Sequence, residues 1–141
     1  FQPDSKLEKE SIENQRKRYP QLLRLLSHPD NEVVRNSITS IANLLHLGTR
    51  TTPRTSDHPH FEEMTAYSGL EKLYALFKRA DISEEIRDQA AICIGRLFRS
   101  KAIPDKFRTE IIGCLIEIVR NQDKHIKAQS VIVLCDLVQN P

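Results

Sequence analysis

Apolar residues recur along most of the chain with the spacing of amphipathic helices. Three segments align without internal gaps: VVRNSITSIANLL begins at Val33, IRDQAAICIGRLF at Ile86 and IKAQSVIVLCDLV at Ile126. Counted from these first residues, apolar or small side chains occupy offsets 0, 4, 5, 8, 9 and 11, which trace one face of a helix. The pattern therefore predicts three helices that are copies of one unit, each burying the same face.

A second apolar helix is predicted before each copy, in the segments QLLRLL, KLYALF and CLIEIV. Each is followed by a turn rich in Asp, Asn, Pro or Ser, the residues that cap helices. The predicted unit is therefore helix, short turn, helix. The last two copies begin 40 residues apart and the first two begin 53 residues apart, so the first unit carries an insertion.

Small residues occupy offset 9 in every copy, at Ala42, Gly95 and Cys135. A glycine inside a helix costs about 1 kcal/mol relative to alanine. We therefore expect a neighbouring helix to approach closely at Gly95, because closer packing offsets that cost.

The repeat resembles armadillo and HEAT units, whose periods are also about 40 residues. HPDNEVVRNSITSIANLL and SEEIRDQAAICIGRLF look like the second half of a HEAT unit and like the third helix of an armadillo unit. The resemblance covers residues 19–141 and implies an all-α fold, a right-handed α-solenoid of about three repeats. The choice between the two repeat types stays open, although SKAIPDKFRTE is expected to hold a short extra helix of the armadillo kind.

The predicted organisation is one continuous solenoid domain that is a fragment of a longer chain. Its segments are a polar N-terminal helix or cap at 1–18, repeat 1 at 19–48, an inserted exposed loop at 49–66, repeat 2 at 67–101 and repeat 3 at 102–141. The final segment VIVLCDLVQNP is apolar without a polar cap behind it. We expect further repeats, a partner or a second copy of the chain to cover that face.

The resemblance also implies a site. In armadillo proteins a ladder of asparagines on the last helix of each unit, along the concave surface, holds the backbone of an extended peptide. The matching position, offset 10, holds Asn43, Arg96 and Asp136, so only the first copy has the asparagine. The chain has no tryptophan, which disfavours an importin-type groove.

Two further polar rows accompany this position. Offset 3 carries amides, which both donate and accept hydrogen bonds, and offset 13 carries His46, Arg99 and Gln139. The predicted partner-binding residues are Asn36, Asn43, Gln89, Arg96, Arg99, Gln129 and Asp136. An ordinary solvated helix face remains the alternative interpretation of these rows.

The predicted function is a non-catalytic scaffold that binds a peptide or protein segment on the concave helical surface. Twenty-one basic and nineteen acidic residues leave a net charge of +2, too balanced to predict binding to nucleic acid or anionic membranes. The alternative is a nucleic-acid-binding helical repeat that uses the basic residues around Arg96, Arg99 and Lys101. No phosphate-binding loop, GxSxG or HExxH motif is present, so neither an enzyme nor a cofactor is predicted.

The insertion GTRTTPRTSDHPHFEEM is the other candidate region. Thr52 precedes a proline and lies between Arg50 and Arg54, so it is a candidate regulatory phosphorylation site. His58 and His60 are potential metal ligands, together with the aspartate before them. Nothing nearby completes a closed site, and no metal is predicted.

The cysteines are Cys93, Cys114 and Cys135, an odd number without a CxxC pair. We expect small buried apolar residues in a reducing compartment, and hence an intracellular protein of the cytoplasm or nucleus. No apolar run approaches the ~18 residues that a membrane span needs, so no membrane insertion is predicted.

Overall fold

The part of the chain that the computed structural model describes, residues 17–121 and 126–138, is all-helical and contains no strand. Its helices are α1 (Tyr19–Leu25), α2 (Asn31–Thr49), α3 (Phe61–Ala66), α4 (Gly69–Lys78), α5 (Glu84–Leu97), α6 (Asp105–Arg120) and α7 (Lys127–Val138). The three aligned segments form α2, α5 and α7, and the three preceding apolar segments lie in α1, α4 and α6. The prediction of an all-α protein is confirmed.

Side chains in the predicted turns cap two of these helices. The Asp30 carboxylate accepts a hydrogen bond of 2.9 Å from the backbone N–H of Glu32 at the start of α2. The Ser83 hydroxyl accepts one of 3.3 Å from the backbone N–H of Ile86 at the start of α5. These bonds satisfy donors that a helix N-terminus leaves without an intrahelical partner.

The helices pack as the pairs α1–α2, α4–α5 and α6–α7, and α5 joins the pairs. It packs against α2 on one side and against α6 and α7 on the other, and every residue from Ala90 to Arg99 is buried. The second helices of the units, α2, α5 and α7, therefore lie side by side, and we call them the second-helix layer. Among the first helices, the rings of Tyr74 in α4 and Phe107 in α6 are 4.3 Å apart between centroids.

The close approach expected at Gly95 is confirmed. A Cβ atom placed there would lie 2.2 Å from Cγ1 of Val133, which is buried in α7. Real side chains do not reach that distance, so the spacing of α5 and α7 depends on the absence of a side chain at this position.

The insertion follows the prediction over residues 50–57, which form a largely exposed loop, and departs from it afterwards. His58 and His60 are 2 % and 1 % exposed, and the insertion ends in the short helix α3 rather than in an exposed loop. Gly48 makes room for both imidazoles, because a Cβ atom there would lie 2.6 Å from Cε1 of His58 and 2.9 Å from Cε1 of His60. The short extra helix expected in SKAIPDKFRTE is absent from these described residues, which form a turn and the first part of α6.

The cysteines also differ from the expectation of uniform burial. Cys93 is buried, Cys114 is half-buried and Cys135 is exposed. Burial raises the pKa of the Cys93 thiol to about 12, so this thiol stays protonated and inert.

The two ends of the predicted domain can be compared only in part. All of the predicted polar cap at 1–18 except its last two residues lies outside the described residues. At the other end, the apolar side chains of Ile116, Val131 and Ile132 are exposed on α6 and α7. The residues that correspond to Val131 in the earlier copies, Ile38 and Ala91, are fully buried.

Replacing Gly95 by alanine is expected to lower the free energy of unfolding by roughly 1–3 kcal/mol, because the new methyl group overpacks against Val133. Gly113→Ala is the matched control, since an added Cβ in this part of α6 meets no described atom within 4 Å. It is expected to raise stability by up to about 1 kcal/mol. Urea denaturation measures both changes. Equal effects of the two substitutions would contradict the close approach of α5 and α7.

Candidate partner-binding site

A cavity of about 240 Å³ lies where the second-helix layer meets the insertion. Its walls come from α2, α5, α7 and the insertion: His46, Thr49, Arg54, Arg96, Arg99, Gln129, Ile132, Val133 and Asp136. Four of the seven predicted partner-binding residues are therefore brought together: Arg96, Arg99, Gln129 and Asp136.

Helical spacing explains why these residues converge. Gln129 and Asp136 are seven positions apart on α7, so they lie on one helix face. Arg96 lies in the last turn of α5, and Arg99 lies in the turn directly after it. Because α7 packs beside α5, this face of α7 meets the end of α5.

Arg99 holds the insertion against α5. Its side chain is buried, and its Nε donates to the Ser56 carbonyl at 2.9 Å. Nη1 donates to the Thr49 carbonyl at 3.1 Å, and Nη2 donates to the Asp57 carbonyl at 3.3 Å and to the Thr52 hydroxyl. Burial lowers the pKa of the Arg99 guanidinium, although an arginine remains charged at neutral pH. Arg99 was predicted as a partner contact, but at 2 % exposure it offers a partner little surface.

Arg96 is in a different situation. It is 9 % exposed, and its Nη2 donates to Oε1 of Gln129 at 3.2 Å. Among residues 17–121 and 126–138, no carboxylate forms an ion pair with it. Burial lowers the pKa of its guanidinium. The cavity thus contains a largely desolvated cation whose only hydrogen-bond partner within this part of the chain is a neutral amide.

Burial lowers the pKa of His46, and the positive charges of Arg96 and Arg50 lower it further. His46 lines the same cavity from α2. Its imidazole therefore reports on the charge of the cavity.

Asp136 is bound by the insertion. Its Oδ1 accepts hydrogen bonds from Nε of Arg54 at 2.9 Å and from Nη2 of Arg54 at 2.7 Å. The pair joins residues 82 positions apart in the sequence and closes one side of the cavity. Nothing in the local sequence around Arg54 indicated this partner.

The remaining predicted contacts lie outside the cavity. Asn36 and Asn43 are exposed on α2. Gln89 is half-buried on α5, and its buried Oε1 has no hydrogen-bond partner among the described residues. Gln139, in the offset-13 row, is outside the described residues. The cavity residues that the prediction did not select are His46, Thr49, Arg54, Ile132 and Val133.

The histidines of the insertion are core residues. The backbone N–H of His60 donates to Nδ1 of His58 at 3.0 Å, which leaves Nε2 of His58 to donate to the Leu45 carbonyl at 2.8 Å. Nδ1 of His60 lies 2.7 Å from the Tyr19 hydroxyl. In the described part of the chain no group of three or more His, Cys, Asp or Glu side chains could hold a metal ion.

The basic residues of the nucleic-acid alternative are not presented together to solvent. Arg96 and Arg99 are buried, and Nζ of Lys101 is 3.2 Å from Oδ2 of Asp57 and lies over the Phe61 ring.

Thr52, the candidate phosphorylation site, is half-buried, with its hydroxyl accepting from Arg99. Its modification stays a prediction.

A second, larger groove of about 870 Å³ lies between α1 and α4. Its floor includes Leu23, Leu26 and Leu76. Arg24, Lys72 and Arg79 are its basic side chains. Arg79 is already bound to the Asp81 carboxylate at 2.7 and 2.9 Å and to the carbonyls of Leu26 and His28 after α1. Unlike the smaller cavity, this groove contains none of the residues that the repeat pattern selected.

Comparison with known proteins identifies no relative from which a function could be inferred. No family model matches the chain, and no similar protein was found among curated proteins or solved structures. Within the described ranges, no helix is long and apolar enough to cross a membrane. The cavity in the second-helix layer is therefore the feature from which a function can be inferred.

Replacing Arg99 by glutamine is expected to free residues 49–60 from α5 and to lower stability by about 2 kcal/mol, because half-buried carbonyl groups lose a charged donor. Amide hydrogen exchange should show faster exchange in that segment than in α6. The control is Arg87→Gln on the opposite side of α5, for which a change within about 0.5 kcal/mol is expected. Unchanged exchange in the insertion of the Arg99 variant would contradict the role assigned to this arginine.

Proposed function

We propose that this chain is an armadillo/HEAT-type right-handed α-solenoid that acts as a non-catalytic interaction scaffold. It binds an extended peptide or protein segment along the second-helix layer, which forms the concave surface. The observation that carries the proposal is the convergence of Arg96, Gln129 and Asp136 on one cavity, with Ile132 of the same wall 55 % exposed.

The chemistry of the layer suits a peptide. The Gln129 amide and the exposed amides of Asn36 and Asn43 can donate to and accept from a peptide backbone. Ile132 offers apolar surface to a side chain. Because residues 90–97 of α5 are all buried, the surface is formed before the ligand arrives, which limits the entropy cost of binding.

Nucleic acid is the less favoured partner. Binding to phosphates requires several basic side chains that reach solvent together. Arg99 is committed to the insertion, and Lys101 is paired with Asp57. A protein or peptide partner needs no such array.

The cellular setting and the oligomeric state are part of the proposal. The three free thiols lie on three different helices, and Cys135 is exposed, which suits a reducing compartment such as the cytoplasm or nucleus. The exposed side chains of Ile116 and Val131 favour self-association, or cover by a further repeat, at the α6–α7 end.

Selection from a random displayed 12-residue peptide library on the immobilised 141-residue chain tests the function. Selected peptides are expected to shift backbone amide resonances of α2, α5 and α7 in NMR spectra, because they lie along the second-helix layer. Arg96→Gln is expected to weaken them about 10-fold to 100-fold, as for the loss of a hydrogen bond to a charged group.

Arg87→Gln is the matched control and should leave affinity unchanged, since position 87 lies on the opposite side of α5. Peptides that shift only α1 and α4 would move the site to the larger groove. No enriched peptide, together with salt-sensitive binding of a mixed oligonucleotide, would replace the proposal by the nucleic-acid alternative.

A further inference from the structure

The charges around the cavity leave one cation without a counter-charge among the described residues. The Arg54 guanidinium is matched by the Asp136 carboxylate. The Arg99 guanidinium is charged, but all three of its nitrogens donate to oxygens of the insertion. Arg96 has one hydrogen bond, to Gln129, and the remaining N–H groups of its fork have no acceptor in the described part of the chain.

We infer that Arg96 anchors a single carboxylate of the bound segment, from an acidic side chain or a free C-terminus. The inference rests on the proposed function and adds the ligand chemistry to it. A buried cation with no counter-charge costs free energy, and a carboxylate that enters the cavity removes that cost.

Geometry favours a carboxylate over a larger anion. A guanidinium fork and a carboxylate match in a planar, bidentate arrangement. Gln129 accepts from Arg96 through Oε1, so its amide NH₂ group can donate to the same ligand. Asp136 in the cavity wall repels a dianion such as phosphate more strongly than it repels a monoanion.

His46 can report on anion binding, because it lines the cavity and its pKa depends on the charges there. The charged groups around His46 are Arg50, directly after its own helix, and the charged residues that line the cavity with it. These are Arg96 on α5, Arg99 directly after α5, Arg54 in the insertion and Asp136 on α7. Burial and the charges of Arg96 and Arg50 hold the pKa of His46 below its usual value. A bound carboxylate offsets this positive field and raises the pKa of His46. By linkage, the anion binds more tightly as the pH falls through the titration of His46.

The first experiment uses acetate as the probe on the full chain. NMR follows the Nε–Hε resonance of Arg96 and the titration of His46 in sodium acetate, with sodium chloride at equal ionic strength as the reference. Acetate is expected to shift the Arg96 resonance in a saturable manner and to raise the pKa of His46. The His46 response should disappear in Arg96→Gln and persist in Arg87→Gln.

Folding of the variants is checked independently. Arg96→Gln is expected to keep or raise the melting temperature, because it removes a buried charge that lacks a counter-charge. Arg96→Lys keeps the charge but not the bidentate fork, and an intermediate acetate affinity is expected. A wild-type protein that responds to acetate no more than to chloride would overturn the inference. A stronger response to inorganic phosphate than to acetate would assign the cavity to dianions and overturn the carboxylate anchor.

The second experiment separates this inference from the proposed function. In peptides selected by the wild-type protein, replacing each acidic side chain by its amide, or amidating the C-terminus, identifies the source of the carboxylate. One replacement is expected to weaken binding to the wild-type protein by tenfold or more and to have no effect on Arg96→Gln. Peptides that bind the second-helix layer without this coupling would remove the anchor and leave the scaffold function. If acetate binds but no peptide is selected, the anion site at Arg96 is supported and the proposed scaffold function is contradicted.

Discussion

Helix α7 lies so close to α5 that a methyl group at Gly95 would overlap with Val133, and this contact fixes the spacing of the second-helix layer. It lets α5 be covered by α2 and α4 on one side and by α6 and α7 on the other. An isolated helix of this length is marginal in water, so its stability comes from this packing. The walls of the cavity are consequently set by helix contacts in the core rather than by the polar residues that line them.

Burial of the C-terminal part of α5 and of the turn after it has an electrostatic consequence. A segment covered on all sides cannot direct its polar residues to solvent, so Arg96 and Arg99 are buried with it, as is Asp88 one turn before. Asp88 accepts a hydrogen bond from the Cys114 thiol at 3.4 Å, and Arg99 is satisfied by the insertion. Arg96 alone of the three is left with a single neutral partner among the described residues, and this is the observation on which the proposed carboxylate anchor rests.

Much of the architecture could be read from the sequence because the signal is periodic. Offsets from Val33, Ile86 and Ile126 predicted which face of each helix is buried. The missing side chain at Gly95 predicted the close contact between α5 and α7. The same offsets selected Arg96, Arg99, Gln129 and Asp136, which do line one cavity. Offsets describe single helices, however. They could not show that a loop arginine would reach Asp136, or that Arg99 would be turned toward loop carbonyls, because these contacts depend on the path of an insertion with no periodicity. The burial of His58 and His60 was missed for the same reason, since their acceptors and donors lie in distant segments.

The insertion also changes how the units depend on one another. In a simple repeat array each unit touches only its neighbours, so units can fray from the ends and can be added or removed with additive effects on stability. Here a segment that belongs to the first unit is hydrogen-bonded to Arg99 of the second and to Asp136 of the third. The link passes over the middle unit and joins the first unit to the third. Such an array is expected to unfold as one cooperative body, and its units are not interchangeable modules, since exchanging any one of them removes a wall of the cavity.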